Sequence, residues 1–267
     1  MVIDDGSTDG TAAMVRLEFP GVRLIQHDAS RGYIARRNEG TRLATTDVVF
    51  SIDDDAVFST PDVVQRTLSE FVPERVAAVA VPYVDVHTDP RICQMAPDWQ
   101  AVYVTGQFKG TAYAVRRDIF VATNGYRDHL IHQGEEGDFC IRMLAAGYVV
   151  RLGRSSPIHH LESPNRDFRR MDFYGVRNAV LFAWQNVPVP FVLLHLPVVV
   201  LRCLAHTWNP GRLRTRLAGV FEGLWLCASV PREPVPASTY RLWRSLAKGP
   251  RPLAQLSFPT RVPSNPT

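Results

Sequence analysis

The most constraining feature of this sequence is a set of acidic clusters, each next to the end of an apolar run or the start of a helix-like segment. Asp4-Asp5 follows a short apolar run, Asp53–Asp55 follows the apolar run Val48–Ile52, and Glu135-Glu136 opens a segment with helical spacing. In an open α/β sheet, ligands bind outside the carboxyl ends of the strands, where helix N-termini also point. We therefore predict that these carboxylates meet at one edge of a sheet.

Carboxylates that lie this close repel one another unless cations or hydrogen-bond donors lie between them. A divalent cation that also holds a diphosphate removes this conflict, and hard oxygen ligands suit Mg²⁺ or Mn²⁺. The sequence therefore predicts a Mg²⁺ or Mn²⁺ site. Each cluster also has a structural interpretation, as a turn, a helix cap or a group that favours the positive end of a helix dipole.

Two further acidic patterns have structural explanations. The segment that begins Asp5-Gly6-Ser7 resembles the start of an EF-hand loop, but its twelfth position is Arg16 where that loop needs Glu. Asp138 and Arg142 have the i,i+4 spacing of an ordinary helical ion pair. We assign neither pattern to a functional site.

Apolar runs alternate with helix-like segments up to residue 152. This alternation predicts an α/β fold whose sheet contains parallel strands. The predicted strands are residues 1–3, 22–26, 48–52, 76–84, 110–115 and 148–152, and the predicted helices are residues 8–19, 33–44, 61–71, 117–123 and 135–146.

Composition narrows the class of protein. Hydrophobic residues make up 46% of the 267 residues and the formal net charge is +4, which excludes an intrinsically disordered chain. The excess of basic residues favours an anionic partner, and the absence of any zinc-finger or RNP-like pattern predicts no nucleic-acid partner. The four cysteines are far apart, which argues against a disulfide framework or a zinc site. Because the N-terminus shows no signal-peptide pattern, we expect a cytoplasmic protein.

The sequence changes character near residues 165–175, where long apolar segments replace the alternation. Residues 179–201 contain no charged residue, which is long enough to cross a membrane, but polar residues and prolines interrupt the run. The expected divisions are an α/β domain over residues 1–170, a helical region over residues 171–250 and a loose tail over residues 251–267.

The helical region is strongly basic. Between Arg202 and Arg251, nine Lys or Arg residues stand against two Asp or Glu residues, interspersed with Trp208, Trp225 and Trp243. Basic helices that carry aromatic residues suit the surface of an anionic membrane, here the inner face of the cell membrane. A helical cap that packs on the α/β domain is the alternative.

Five ordered segments, which together cover about residues 1–190, resemble the motifs of family 2 glycosyltransferases. The resemblance implies a GT-A-like fold, that is, a Rossmann-related mixed sheet flanked by helices, with a C-terminal helical appendage. The similar segments are Val2–Thr11 (VIDDGSTDGT), Phe50–Ala56 (FSIDDDA), Gly110–Phe120 with the following Gly125-Tyr126, Gly134–Gly147 (GEEGDFCIRMLAAG), and His159-His160 with Glu162-Ser163-Pro164.

The resemblance also implies an activity, which is inverting transfer of a sugar from a nucleotide-diphosphate donor to a glycan or lipid-linked acceptor. Asp55, with Asp53, would bind the metal as the family's D-x-D pair, and His160, or else His159, would approach the metal or diphosphate. Glu136 stands where the family usually has Asp as general base, so the choice between Glu135 and Glu136 stays open. The implied donor-binding residues are Asp4, Asp5, Arg36, Arg37, Asn38, Asp53 and Asp54.

The sequence departs from the family pattern at its start. In the family, a strand and a helix precede the acidic motif that here begins at Val2, whereas only Met1 precedes it. We therefore expect a fold that lacks its first strand and part of the donor pocket, through a mis-assigned start, a fragment or a genuine loss. The alternative function is that of an inactive glycosyltransferase-like binding or scaffold protein.

Overall fold

The computed structural model describes residues 1–162, 167–205 and 209–258. Within these residues the chain forms twelve strands in three sheets. The strands are β1 (Val2–Asp4), β2 (Leu24–Gln26), β3 (Val48–Ile52), β4 (Ala56–Phe58), β5 (Val76–Ala80), β6 (Tyr83–Asp85), β7 (Asp89–Cys93), β8 (Tyr103–Thr105), β9 (Ala112–Arg116), β10 (Val149–Leu152), β11 (Ile158–His160) and β12 (Arg251–Pro252).

The same residues form nine α-helices, and most of those predicted in the first part of the chain lie close to their expected bounds. The first helix starts later than predicted because Gly10, with φ of +88°, occupies its N-cap position. The helices are α1 (Thr11–Glu18), α2 (Tyr33–Leu43), α3 (Val63–Leu68), α4 (Arg117–Ala122), α5 (Glu135–Ala145), α6 (Phe168–Asn186), α7 (Val192–Ala205), α8 (Pro210–Leu226) and α9 (Ala237–Leu246).

The largest sheet has six strands in the order β12-β8-β10-β5-β9-β3. β10 lies parallel to β5, whereas β9 runs antiparallel to both β5 and β3. All five residues of β5 are buried, as expected for a central strand that is covered on both faces. Helix α5 packs against β10 and α4 packs against β9. The fold is therefore a mixed α/β sheet flanked by helices, which confirms the predicted fold class.

A second sheet of four short strands has the order β4-β11-β6-β7. The predicted strand over residues 76–84 is in fact two strands, because the run is broken at Pro82, which has no N–H to donate to a ladder. The first part stays in the large sheet as β5, and the second part turns into this sheet as β6. This division carries the end of β6 towards β11.

The first strand lies in a separate pair. β1 is parallel to β2, with Val2 opposite Leu24 and Asp4 opposite Gln26. Among the described strands, β1 pairs only with β2, so Asp4 and the following Asp5 do not end a strand of the large sheet. The first acidic cluster therefore follows a strand of this separate pair, whereas the sequence predicts that all three clusters meet at one edge of a sheet.

The C-terminal helices share the core of the α/β part. Leu181 of α6 is fully buried in the same cluster as Phe139 of α5, and Tyr240 of α9 packs in a cluster with Ile141 of α5. Helix α6 also packs closely on α8, since a Cβ atom at Gly219 would lie only 2.5 Å from the carbonyl oxygen of Phe173. The helices therefore form a cap that is packed on the sheet.

The uncharged run over residues 179–201 does not form one helix. Helix α6 ends at Asn186 and α7 begins at Val192, and the intervening segment contains Pro188 and Pro190. In the part of the chain that the structure describes, no helix combines the length and the apolar character needed to cross a membrane.

The start of the predicted loose tail is ordered. β12 pairs antiparallel with β8, and the N–H of Leu253 donates to the carbonyl of Val102 at 2.7 Å. Leu253 and Phe258 pack against a core cluster, which explains why this segment is held in place. Residues 259–267, like Ser163-Pro164 of the histidine motif and Trp208 of the basic region, lie outside the described residues.

Candidate functional site

A cavity of about 1020 Å³ lies between the sheets and the C-terminal helices. Its walls come from α2, the loop after β3, the start of α5, the end of β11 and the helices α6, α7 and α9. Most of the predicted site residues line this single cavity, although they are far apart in the sequence. These residues are Arg37, Asp53, Asp54, Asp55, Glu135, Glu136 and His160.

Two acids and a histidine meet at one wall of the cavity. β4 follows Asp55 directly and pairs antiparallel with β11, so that Ala56 lies opposite His160. Asp55 Oδ1 is 3.3 Å from His160 Nε2, and ligand atoms of Asp53, Asp55 and His160 all lie within 4.8 Å of one another. Carboxylate oxygens are the ligands that Mg²⁺ and Mn²⁺ prefer, so these residues could hold such an ion. The neighbouring His159 is exposed.

His160 is held in place by a carboxylate that the sequence reasoning missed. β6 lies parallel to β11 with Asp85 opposite His160, and Asp85 Oδ1 is 2.6 Å from His160 Nδ1. A carboxylate on one ring nitrogen fixes the orientation of the imidazole. The other nitrogen, here Nε2, then faces Asp55, which is also a candidate metal ligand. Asp85 is an acid at the end of an apolar run, so the rule that identified Asp53 would also have found it.

Arg37 lies between two of the acidic clusters. Its guanidinium forms an ion pair with Asp53 and another, at 3.2 Å, with Glu135 Oε1. The side chain is only 14% exposed and stacks over the Tyr33 ring, with 4.7 Å from Cζ to the ring centroid. Part of the predicted carboxylate repulsion is thus relieved by a cation of the protein itself. The family resemblance implies that Arg37 lies near the donor, but no pattern in the sequence indicates this bridging position.

Glu135 is completely buried at the first turn of α5. Burial and the nearby charge of Glu136 raise the pKa of Glu135 to about 8, while Arg37 acts in the opposite direction. The Tyr33 hydroxyl donates to Glu135 Oε2 at 3.2 Å and accepts from the N–H of Gln133 at 2.7 Å. Tyr33 and Arg37 together therefore fix this side chain.

Glu136 is more open to the cavity than Glu135. It is half-buried, and its Oε1 accepts a hydrogen bond of 3.1 Å from the N–H of Gly110. A Cβ atom at Gly110 would lie 2.7 Å from Arg37 Nη1 and 2.8 Å from Glu136 Oε1. Only glycine allows the backbone to come this close, which gives a physical role to Gly110, the first residue of the family-like segment Gly110–Phe120.

The first acidic cluster does not belong to the described lining of this cavity. Asp4 is buried, and its Oδ1 accepts from the N–H of Ser7 at 3.0 Å. Asp5 accepts from the Ser30 hydroxyl at 2.6 Å and from the N–H of Gly32 at 2.8 Å, and it is paired with Arg36. Asp5 therefore ties the end of β1 to the loop that leads into α2.

Asn38 also lies away from the described cavity lining. Its amide is fully buried and bonds twice with Tyr126, accepting from the N–H and donating to the carbonyl, each at 2.8 Å. Asn38 thus holds the turn at Gly125-Tyr126. Asp138, for which a structural role was predicted, pairs with Arg142 at 2.9 Å and also with Arg127 at 2.8 Å, which confirms the helical ion pair.

The motif order and the cavity geometry agree with a comparison of the sequence with known families. Residues 1–130 match the family model described as Glycosyl transferase family 2. Over these residues, just under half of the chain, the sequence is similar to the glycosyltransferase family 2 domain. The matched residues include Arg37 and Asp53–Asp55, while Glu135, Glu136 and His160 complete the same cavity from beyond the matched range.

The known proteins that this chain resembles are distant in sequence. The O-antigen chain rhamnosyltransferase WbaN of Salmonella anatum is 24% identical over 196 residues, which are 67% of this chain. The matched part spans 62% of that relative, so the chain covers less than two thirds of its length.

Two solved structures share the fold. The mannosyltransferase PcManGT from Pyrobaculum calidifontis, in complex with GDP-Man and Mn²⁺, has a TM-score of 0.54 and 20% identity over 92% of this chain and 69% of that chain. TarS 1-349 of S. aureus, in complex with UDP-GlcNAc, has a TM-score of 0.59 and 12% identity over 92% of this chain and 78% of that chain. These likenesses show that the fold is that of the GT-A glycosyltransferases.

Proposed function

We propose that this protein transfers a sugar from a nucleotide-diphosphate donor to an acceptor hydroxyl, with inversion at the anomeric carbon. The observation that carries the proposal is that the candidate metal ligands Asp53, Asp55 and His160 line the same cavity as Glu136. The family 2 match and the names of the related proteins support a donor of this class.

The residues at the cavity wall fit a divalent cation, Mg²⁺ or Mn²⁺. Two carboxylates and one oriented imidazole offer a compact set of ligand atoms, with room for diphosphate oxygens in the adjoining space. When bound, such an ion would neutralise negative charge that develops on the leaving diphosphate. Asp55 and His160 would hold it directly, and Asp85 would keep His160 oriented.

Glu136 is the proposed general base. Its carboxylate takes the proton of the acceptor hydroxyl while the hydroxyl oxygen attacks the anomeric carbon, and the bond from that carbon to the diphosphate oxygen breaks. One displacement of this kind inverts the anomeric carbon and releases the nucleoside diphosphate. One contrast favours Glu136 over Glu135: Glu136 is half-buried at the cavity, whereas Glu135 is buried against Arg37 and Tyr33.

We propose donor contacts for the remaining predicted residues. Arg37 and Asp54 line the cavity and lie within reach of a bound nucleotide. Asp4 and Asp5 at the end of β1, and Asn38 beneath the turn at Gly125-Tyr126, would shape the nucleoside side of the site from behind the cavity wall.

A location at the inner face of the cell membrane, with a glycan or lipid-linked acceptor, is also part of the proposal. Helices α7 and α8 expose large apolar side chains to solvent, among them Leu194, Leu201, Phe221 and Trp225, which are 66% to 76% exposed. Such a surface beside basic residues suits the headgroup region of an anionic membrane. Reduced co-sedimentation of a Phe221→Ser, Trp225→Ser variant with phosphatidylglycerol vesicles would support this location, and unchanged co-sedimentation would refute it.

One observation favours the alternative of an inactive binding protein. The ion pairs of Arg37 already neutralise part of the charge of Asp53 and Glu135, so the carboxylates tolerate one another without an added ion. Metal-dependent binding of a nucleoside diphosphate separates the two functions, because only the transferase needs it.

The deciding experiment is a screen of nucleotide-diphosphate sugars with Mn²⁺, in which hydrolysis or transfer is measured for the purified chain. We expect Asp55→Ala and Glu136→Gln each to abolish turnover while the circular dichroism spectrum stays unchanged. The matched controls are Asp47→Ala and Glu74→Gln, which change exposed acids outside the cavity lining. Normal turnover by either cavity variant would exclude that residue from its proposed role.

A further inference from the structure

The cavity continues past the carboxylates to the C-terminal helices, where positively charged side chains line it. One end carries Asp53–Asp55 and Glu135-Glu136, and the other carries Arg202, Arg244 and Lys248. We propose that the cationic end is an acceptor subsite for a phosphate or diphosphate group that is attached to a hydrocarbon chain. This inference rests on the proposed function and adds the chemical class of the acceptor.

The three cations are available for a ligand. Arg202 and Arg244 come from different helices, α7 and α9, but both line the cavity and lie close enough to His195 to add to the lowering of its pKa by burial. Unlike Arg37, none of the three forms an ion pair with a carboxylate within the described ranges 1–162, 167–205 and 209–258. Guanidinium groups form paired hydrogen bonds with phosphate oxygens, so a phosphate group is the expected partner.

The wall between the two ends is aromatic. The Phe182 and Trp243 rings lie 5.0 Å apart between centroids, and His195 lies 6.1 Å from Phe182. His195 Nδ1 is 2.7 Å from the Tyr240 hydroxyl, and burial with the nearby arginines lowers the pKa of His195 to about 4. The imidazole is therefore neutral near pH 7, so this stretch of wall is uncharged. A sugar attached to the phosphate could lie along it and reach Glu136.

Helix α7 connects the cavity with the exposed apolar surface. His195, Val198, Val199 and Arg202 line the cavity with the i, i+3, i+4, i+7 spacing of one helical face. The opposite side of the helix exposes leucines to solvent, and Val198 is itself 43% exposed at the boundary. A hydrocarbon chain leaving the cationic end therefore meets a continuous apolar path. A plain glycan acceptor would leave both the cations and this path without a partner.

The test measures binding of farnesyl diphosphate, below its micelle-forming concentration and without divalent metal, to the full chain by titration calorimetry. We expect the Arg202→Gln, Arg244→Gln double variant to bind at least about tenfold more weakly, because it loses the charge-assisted hydrogen bonds to the phosphate oxygens. The matched control is Arg214→Gln, Arg241→Gln, which removes two exposed arginines of α8 and α9 that lie outside the described cavity lining and should keep the original affinity.

Two comparison ligands test the two halves of the proposed acceptor. Farnesol and inorganic pyrophosphate should each bind more weakly than farnesyl diphosphate, since each offers only one of the two groups. Equal binding by pyrophosphate, equal binding by the double variant, or displacement of the probe by a nucleoside diphosphate would overturn the proposal. The proposal would also fail if the double variant lost binding to anionic vesicles and kept its affinity for farnesyl diphosphate, because the arginines would then serve a membrane surface.

Calorimetry with a nucleoside diphosphate and Mn²⁺ on the same proteins separates this inference from the proposed function. Intact nucleotide binding without farnesyl diphosphate binding refutes the acceptor subsite alone. Farnesyl diphosphate binding without nucleotide binding supports the subsite and contradicts the proposed transferase.

Discussion

Arg37→Gln should lower the free energy of unfolding far more than the same substitution of an arginine in an exposed ion pair. The substitution removes the cation between Asp53 and Glu135 and keeps a side chain of similar length. Because Arg37 is only 14% exposed, its removal would leave Asp53 as an unpaired carboxylate and would remove the cation that favours ionisation of the buried Glu135. Removing one partner of a buried ion pair typically costs about 3–5 kcal/mol of unfolding free energy. We expect a loss near the lower end, about 3 kcal/mol, since Asp53 keeps access to the cavity.

The loss of unfolding free energy in Arg37→Gln should also depend on pH, and it should be larger at high pH. The pKa of Glu135 is raised from an ordinary value of 4.5 to about 8, so the folded protein holds a proton that the unfolded chain releases. Stability therefore falls as the pH rises from 4.5 to about 8 and then levels off. Without Arg37, the pKa of Glu135 rises further and the fall continues above pH 8, by about 1.4 kcal/mol per pH unit.

Urea denaturation followed by tryptophan fluorescence at pH 7 and pH 9 measures both effects. Arg66→Gln is the matched control, because Arg66 pairs with Asp62 on an exposed helix surface and should contribute less than about 1 kcal/mol. The reasoning is refuted if Arg37→Gln costs no more than Arg66→Gln. It is equally refuted if the difference from the wild type is smaller at pH 9 than at pH 7.

Three other substitutions test separate parts of the site. Gly110→Ala should lower turnover at least about tenfold, because the new methyl group displaces Glu136 from its backbone donor. Asp85→Asn should weaken Mn²⁺ binding, measured by calorimetry, about 10- to 100-fold, because His160 loses the carboxylate that orients it. Asp5→Asn should lower the free energy of unfolding at pH 7 by about 2 kcal/mol. Although burial opposes the effect, hydrogen bonds lower the pKa of Asp5 to about 2, so this difference should vanish in urea titrations as the pH falls from 4 towards 2.

Each of these predictions has a matched control in the chain. Gly249→Ala adds a methyl group where nothing lies within 4 Å and should leave turnover unchanged. Asp89→Asn removes a carboxylate that pairs with the exposed Arg91 and should leave Mn²⁺ affinity unchanged. Asp28→Asn changes an exposed acid and should differ little from the wild type in free energy of unfolding at any pH between 7 and 2. A control that behaved like its test variant would remove the reason given for that variant.

Most of the large sheet could be predicted because its strands carry their own local pattern. β3 lies at the predicted residues 48–52, and β5 and β10 begin or end within one residue of the expected bounds. The strands β4 and β8 were missed because three residues are too few to show a period of two. The assignment of β1 to a separate pair could not be read from the sequence either, since pairing depends on the rest of the sheet.

The site residues could be predicted only where a single segment of the sequence shows their position, next to the end of a strand or the start of a helix. The acids at the ends of β3 and at the start of α5 follow a rule about strand and helix ends, and the structure brings both to one cavity. The contact between Asp85 and His160 joins residues 75 positions apart, and the contact between Arg37 and Glu135 joins residues 98 positions apart. No local pattern reports such pairs, because they arise from the packing of β6 on β11 and of α2 beside α5.

The charge of Asp53 can be neutralised in two ways, by Arg37 or by a bound divalent cation. Asp53 is paired with Arg37 and also belongs to the group that could hold a divalent cation. An ion bound at that group would draw the charge of Asp53 towards itself and leave Arg37 more fully available to Glu135. Ionisation of Glu135 would then become easier, and by linkage an ionised Glu135, which draws Arg37 away from Asp53, would strengthen binding of the ion by the same factor. Arg37 and the proposed metal ion therefore both act on the charge of Asp53.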